Sequence, residues 1–409
     1  MARQTVIRNK DAQSNLIKHT KRYMELILLS VFGFLVSGIL ALFQPLHAAP
    51  VYFSNGINEE EPYAFHEPPT SGRSGIETAL EVSPERTLHI QSTLDIESFE
   101  PLLKEFVKRN PDVKVAYEDI NTLELYQNLL DEKANSNASL IISSAMDLQL
   151  KLVNDGYAER YSSFETDKLP SYAKWRNQIF AFSKEPVVMV INRAHYPGAT
   201  FPDDRESLLA SIRLNDTAFK GKIGTYDIRT SGVGYLLASQ DARQADTMWG
   251  RLIEAFGSHD VKSYCCTGDM IDDVAEGSLI VAYNLLGSYA AQRVEKDPRL
   301  MMVLPKDYTL MLMRTALIPK GAKNYEDAGR FLDFILSKDG QEIMSLKKLL
   351  YPISSVKTDS QKVFAMPLGP TRVIELDQQL LVGRDLIKQQ RFIEGWRSAL
   401  EIKKESKNE

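Results

Sequence analysis

From residue 87 onward the chain exchanges two periodicities again and again, and this alternation constrains its fold more than anything else in it. "TLHIQS" is a short strand; Ile96, Phe99, Leu102, Leu103, Phe106 and Val107 then recur at helical spacing and stop at Asn110-Pro111. "VKVAYED" is the next strand, "LELYQNLLDEKAN" the next helix and "SLIISS" the strand after that. Strand, helix and strand at such short spacing dictate a parallel sheet with helices on its faces, an α/β fold. In such sheets ligands bind beyond the carboxyl ends of the strands, so the residues at those ends carry the functional information.

Three strand ends share a chemistry. "LHIQSTLD" ends in Ser92 and Thr93, "LIISSAMD" in Ser143 and Ser144, and "KIGTYDIRTSGVGYLLAS" in Arg229, Thr230, Ser231, Gly232, Val233 and Gly234, each before a helix. One hydroxyl at a helix start is a cap for the free N–H groups of the first turn. Three such turns on parallel strands converge on one edge, where the same N–H groups and hydroxyls hold an anion. Gly232 and Gly234 let backbone approach a ligand, and Arg229 adds a planar, fixed charge that fits phosphate or carboxylate. The "TSGVG" turn is neither a P-loop nor a dinucleotide fingerprint.

The first fifty residues address location. Arg3, Arg8, Lys10, Lys18, Lys21 and Arg22 precede "MELILLSVFGFLVSGILALF", an apolar run of about twenty residues that is long enough to cross a bilayer. "QPLHAAP" follows, with Ala48 and Ala49 as a cleavage site. The segment reads as a signal peptide, with an uncleaved N-terminal membrane anchor as the alternative, and the charge order exports everything after it. Residues 50–86, rich in Pro, Gly, Ser and Glu, read as a flexible acidic tether. A formal net charge of −5 with no basic-aromatic stripe excludes a nucleic-acid partner.

No chemistry-bearing constellation stands out. The six histidines are scattered, with no H-E-x-x-H, no Cys/His cluster and no G-x-S-x-G elbow, so neither a metal, a cofactor nor an enzymatic activity is expected. Cys265 and Cys266 are adjacent: either two thiols, the preferred reading, or a vicinal disulfide. In either state they help to shape the cleft wall.

Taken together, "LHIQSTLDIESFEPLLKEFVKRNPDVKV", "SLIISSAMDLQLKLVNDGYAE", "EPVVMVINR", "IGTYDIRTSGVGYLLASQ", "DVAEGSLIVAYNLLGSYA" and "RTALIPKGAKNYEDAGRFLDFILSKDGQEIM" resemble the type 2 periplasmic binding proteins of ABC importers. The branch most like it holds ferric-iron binders, sugar-phosphate binders and the phosphoglycerate transport regulatory proteins, and "SSAMDLQLKLVNDGYA" is most similar to the last. The likeness runs from about residue 88 to 360. It implies two lobes joined by two crossing strands, "VVMVINR" and "LMLMRTALIP". Residues 87–190 would then begin lobe one, 191–310 form lobe two, and 311–409 complete lobe one with the C-terminal helices.

The resemblance also extends the list of candidate ligand-binding residues. Thr267 would join the Arg229–Gly234 turn on lobe two. Tyr226, Asp227, Asp269, Tyr283 and Asn284 would recognise ligand hydroxyls, with a cap or a core hydrogen bond as the plain alternative for each. Arg314, on the return strand, either faces the cleft or pairs with a carboxylate. In the ferric branch two neighbouring tyrosines hold the metal near "VAYNLLGSYA"; here Asn284 follows Tyr283 and Tyr289 lies further on, which argues against iron. The expected function is capture of an anionic, phosphorylated small organic ligand in the periplasm for an ABC importer permease. The alternatives are a ligand-sensing protein that docks on a membrane histidine kinase, or a ferric-ion binder.

Overall fold

Ile90, Phe99, Leu102, Leu103, Phe106 and Val107, the apolar positions of the first strand and helix, are all buried, and the alternation continues down the chain. The computed structural model describes residues 50–54, 86–131, 137–198, 200–347, 350–353 and 369–401. The signal or anchor segment and most of the tether lie outside them. Among the described residues no helix is long and apolar enough to cross a membrane.

The first part of the chain runs β1 (Val51–Phe53), β2 (Arg86–Ser92), α1 (Ile96–Arg109), β3 (Val113–Asp119), α2 (Thr122–Asp131), β4 (Leu140–Ser143), α3 (Met146–Asn154), α4 (Phe164–Asp167), β5 (Lys174–Trp175) and β6 (Ile179–Asn192). The second runs α5 (Arg205–Leu214), α6 (Asp216–Phe219), β7 (Ile223–Tyr226), α7 (Gly232–Gln244), α8 (Asp246–Ser258), β8 (Lys262–Tyr264), α9 (Thr267–Glu276), β9 (Val281–Leu286), α10 (Gly287–Lys296) and β10 (Leu300–Val303). The return comprises β11 (Thr309–Leu317), α11 (Tyr325–Leu336), α12 (Lys338–Leu346), β12 (Thr371–Val373), α13 (Gln378–Gly383) and α14 (Leu386–Glu401).

The sheet order is β1-β3-β2-β4-β11-β6-β9-β7-β8. β2, β3 and β4 are parallel to one another, as are β7, β8 and β9. The long strand β6 belongs to both halves: Phe180–Pro186 pairs with β11, and Val187–Ile191 with β9. The predicted α/β architecture with crossing strands is therefore present, and a single strand carries both sheets. β1 corrects the tether reading at its start. Val51–Phe53 adds an antiparallel edge strand to β3 and buries Phe53, because "VYF" presents alternating apolar side chains to a free edge.

The C-terminal helices depart from the expected placement on lobe one. Arg384, just after α13, pairs with Asp147 of α3 in the first half at 2.7 Å, both side chains buried. α14 packs on α8 of the second half, where the Phe392 ring stacks on Trp249 at 6.1 Å and Trp396 is buried. The C-terminal segment thus spans the division that the chain order suggested, with Arg384 on the first half and the aromatic side chains of the last helix on the second.

Tyr283 and Asn284, read as ligand contacts, are corrected to structural roles. The second half is organised around Asp241, which receives the Arg205 guanidinium at 2.8 Å and the hydroxyls of Tyr283 and Tyr308. Asn284 sits at φ 64° in a bulge of β9 against β6, and its Nδ2 donates to Asp241 at 3.4 Å. An asparagine tolerates that left-handed backbone where a second tyrosine would be strained. Tyr283→Phe removes one hydrogen bond to a buried carboxylate and should lower stability by about 1–2 kcal/mol in urea unfolding, with ligand affinity unchanged. A variant of full stability and reduced affinity would return Tyr283 to the binding site.

Candidate functional site

Six strands of the two parallel triplets run out at one place. Thr93 and Asp95 follow β2; Asp119 ends β3, before Ile120, Asn121 and Thr122; Ser144 follows β4. From the other half Tyr226 ends β7, Val233 opens α7, and Cys265 to Asp269 join β8 to α9. Leu286 ends β9 and Tyr289 lies in the first turn of α10. Together they enclose a cavity of about 320 Å³. The three turns recognised in the sequence are thus half of a set of six strand-to-helix turns around one volume, where the first N–H groups of α7 are already taken by Thr122 and one of α10 by Glu185. A larger hollow of about 490 Å³ lies beside α5 and α6, lined by Tyr196, Phe201 and Leu214. It touches none of the six turns, so the smaller cavity is the candidate site.

Within each serine pair the two hydroxyls divide the work. Ser92 Oγ accepts from Leu94 N at 3.1 Å and Ser143 Oγ from Ala145 N at 3.1 Å, so both close their own turns and stay buried. Thr93 and Ser144 line the cavity, and Thr93 Oγ1 accepts from Ser144 N at 3.2 Å. Across the cavity, Tyr226 and Thr267 join their hydroxyls.

The Arg229–Gly234 turn is the main correction. Arg229 is half-exposed, grips Asp227 with Nε at 2.9 Å and Nη2 at 2.7 Å, and lies over the Trp396 ring rather than in the cavity. Asp227 and Thr230 are likewise outside it, and Ser231 Oγ is spent on capping Gly234 N at 3.2 Å. The N–H groups of Gly232 and Val233 are taken by Thr122 Oγ1 of the first half, at 2.8 and 3.3 Å. The two glycines serve packing: a Cβ on Gly234 would stand 2.4 Å from that of Tyr226, and one on Gly232 2.7 Å from Leu148 Cδ1. Of this turn only Val233 lines the cavity.

The other candidate cation is Arg314. Fully buried on β11, it donates from Nε to Glu185 Oε1 at 3.0 Å and lies 5.6 Å from the Tyr289 ring centre. Its two terminal nitrogens have no hydrogen-bond partner among the described residues. Of the two readings offered for Arg314, the structure shows the pairing with a carboxylate; the side chain lies behind Tyr289 and is not part of the cavity lining.

Three carboxylates balance this positive field: Asp95, Asp119 and Asp269. Asp95 Oδ1 accepts from the Tyr289 hydroxyl at 2.9 Å, linking the two halves. Asp119 is raised to about 6, first because protein crowds water from its inner side, then by the charges of Asp95 and Glu97, with Arg314 opposing. Asp119, Asn121 and Thr122 escaped the sequence reading because the end of "VKVAYEDINT" has no paired hydroxyls, and Asp95 because it follows a pair that drew the attention instead. Its position as the third strand of the triplet was the available signal.

Cys265 and Cys266 are joined as a vicinal disulfide, which corrects the preference for thiols. Both are exposed and line the cavity, as expected of the cleft wall. With Asp269 they form the one set of three metal-capable side chains found among the described residues, all within 4.8 Å of one another. While the sulfurs are bonded to each other they supply no thiolate, and the set offers a single carboxylate.

Residues 135–371 match the family described as bacterial extracellular solute-binding proteins. A crystal structure of the substrate-binding protein of an ABC transporter from Agrobacterium tumefaciens is 35% identical, covers 78% of this chain and 96% of its own, and superposes with a TM-score of 0.73. The periplasmic binding protein AfuA from Actinobacillus pleuropneumoniae, with exogenous fructose-6-phosphate bound, is 21% identical, with a TM-score of 0.63 over 78% of this chain and 100% of its own. Iron-bound HitA from Pseudomonas aeruginosa is 15% identical, with a TM-score of 0.62 over 77% and 99%. No curated protein sequence matches the chain.

The raised Asp119 has a consequence for stability. A carboxyl with a higher affinity for protons in the folded than in the unfolded state favours folding below the unfolded value of 3.8 and loses that contribution as pH rises through about 6. Urea unfolding of Asp119→Asn should therefore lack a decline in stability between about pH 4 and 6 that the parent shows. Parallel pH profiles would mean that the carboxyl is unperturbed.

Proposed function

We propose that this chain, which belongs to the bacterial extracellular solute-binding proteins, captures a small hydroxylated phosphate ester in the cavity between its two halves and passes it to an ABC importer permease. The observation that carries the ligand class is the meeting of six strand-to-helix turns at one cavity, with the buried Arg314 guanidinium beside Tyr289 of its wall. A phosphate placed there receives N–H donors, hydroxyls and aligned dipoles together. Thr93, Ser144 and Thr267 supply the hydroxyls. The carboxylates of Asp95, Asp119 and Asp269 and the amide of Asn121 are suited to the hydroxyl groups of the remainder, which they accept from or donate to.

Among the similar structures one holds fructose-6-phosphate and another iron. The geometry favours the first chemistry. A ferric ion would stand among positive helix ends, and Tyr283 is committed to Asp241. Docking on a membrane histidine kinase, the regulatory alternative, has no observation among the described residues to carry it.

Titration calorimetry with fructose 6-phosphate, 3-phosphoglycerate, their unphosphorylated parents, inorganic phosphate and ferric citrate tests the reading. A phosphate ester should bind, and its unphosphorylated parent should bind at least about thirtyfold more weakly, a difference of about 2 kcal/mol. Thr93→Val and Thr267→Val should each weaken the ester by roughly fivefold to thirtyfold. Arg229→Ala should change affinity by less than about threefold, because that side chain is engaged with Asp227 outside the cavity. Tight ferric citrate binding with no response to any ester would overturn the ligand class.

A further inference from the structure

The vicinal disulfide occupies a position where a helix would ordinarily place a cap. Cys266 is the residue before α9, and no side chain caps that helix. At the start of α7 the equivalent residue, Ser231, accepts from Gly234 N. The sulfur of Cys266 is instead bonded to Cys265, so the first N–H groups of α9 are left to the cavity that Thr267, Gly268 and Asp269 line. Arg314, buried beside Tyr289 of the same wall with two unpartnered nitrogens, adds a fixed positive charge nearby. The two sulfurs also add to the apolar part of the wall, to which Ile120, Val233 and Leu286 contribute. Such a surface suits the C–H face of a sugar ring.

We propose that the Cys265–Cys266 bond is a reversible redox-sensitive element of the ligand cavity: oxidised, it leaves the α9 N-terminus open to the ligand's phosphate, and reduced, it places a thiol there that lowers affinity. The inference rests on the solute-binding reading above. A dithiol reductant delivers two electrons and two protons; the S–S bond breaks, two cysteine thiols form, and the reductant leaves as its own disulfide. Both sulfurs are exposed, so the reductant has access. A thiol at a helix N-terminus ionises more readily than usual. The resulting thiolate competes with the ligand for the same N–H groups and repels its charge. Two sulfurs no longer bonded also cease to present one rigid face.

The test compares the full chain, oxidised and after dithiothreitol in the presence of EDTA, with the gain of two hydrogens checked by mass. Fructose 6-phosphate should bind the reduced form at least about tenfold more weakly, and reoxidation should restore the affinity. Cys265→Ala/Cys266→Ala should not respond to dithiothreitol. Cys265→Ala/Cys266→Ser should bind as weakly as the reduced parent, because a serine there caps α9. A second readout needs no ligand: in the reduced protein, alkylation of Cys266 by iodoacetamide against pH should have its midpoint below the ordinary thiol value of about 8.5. Equal affinity of the oxidised and reduced forms overturns the proposal, and so does an ordinary alkylation midpoint. If fructose 6-phosphate binds neither form, the ligand reading has failed and the alkylation profile alone decides the fate of the disulfide.

Discussion

The ion pair between Arg314 and Glu185 is the contact on which the molecule's arrangement turns. Glu185 lies on β6 just before the strand passes from one half-sheet to the other, and Arg314 lies on the neighbouring β11. One Glu185 oxygen takes the Arg314 Nε; the other takes Ser288 N at the start of α10, in the second half. Return strand, shared strand and second-half helix thus meet at one carboxylate, with no water-exposed surface on either side chain. Two ions taken out of water at this depth cost several kcal/mol before their attraction is counted, and apolar side chains would pack there at least as well. What the pair provides is a positive charge that cannot move away, beside Tyr289 of the cavity wall.

The rest of the site can be understood as a response to that charge and to the six helix ends. Left alone they would make the cavity strongly positive. Asp95, Asp119 and Asp269 offset this from the wall; Asp119 is itself raised first by the loss of water on its inner side and then by the charges of Asp95 and Glu97, with Arg314 opposing.

The two halves are also held away from the shared strand. Thr122 caps α7 across the division, Tyr289 reaches Asp95, and the C-terminal α13 and α14 seat on opposite halves through Arg384 and Trp396. These contacts account for much of what the sequence reading assigned to ligand. The N–H groups of Gly232 and Val233 point to a threonine of this chain, and Arg229 packs beside the last helix.

The crossing strand was implied by the resemblance to binding proteins; read by itself, the sequence determined the alternation of strands and helices, and hence the two parallel sheets. These follow from local periodicity, which the backbone obeys almost regardless of context. It also located Thr93, Ser144, Thr267 and Asp269 on the cavity, because a hydroxyl or carboxylate at a strand end has few other places to go. Only the tertiary structure decided which member of the Ser92–Thr93 and Ser143–Ser144 pairs lines the cavity, that Arg229 is engaged with Asp227 outside it, and that Tyr283 serves Asp241. It likewise decided that Cys265 and Cys266 are bonded. The disulfide between neighbours apart, each of these depends on a partner far away in the chain: Trp396 for Arg229, Asp241 for Tyr283, Thr122 for the α7 N-terminus. A side chain with several possible partners is assigned by which of them the fold brings within hydrogen-bonding distance, and no local pattern records that.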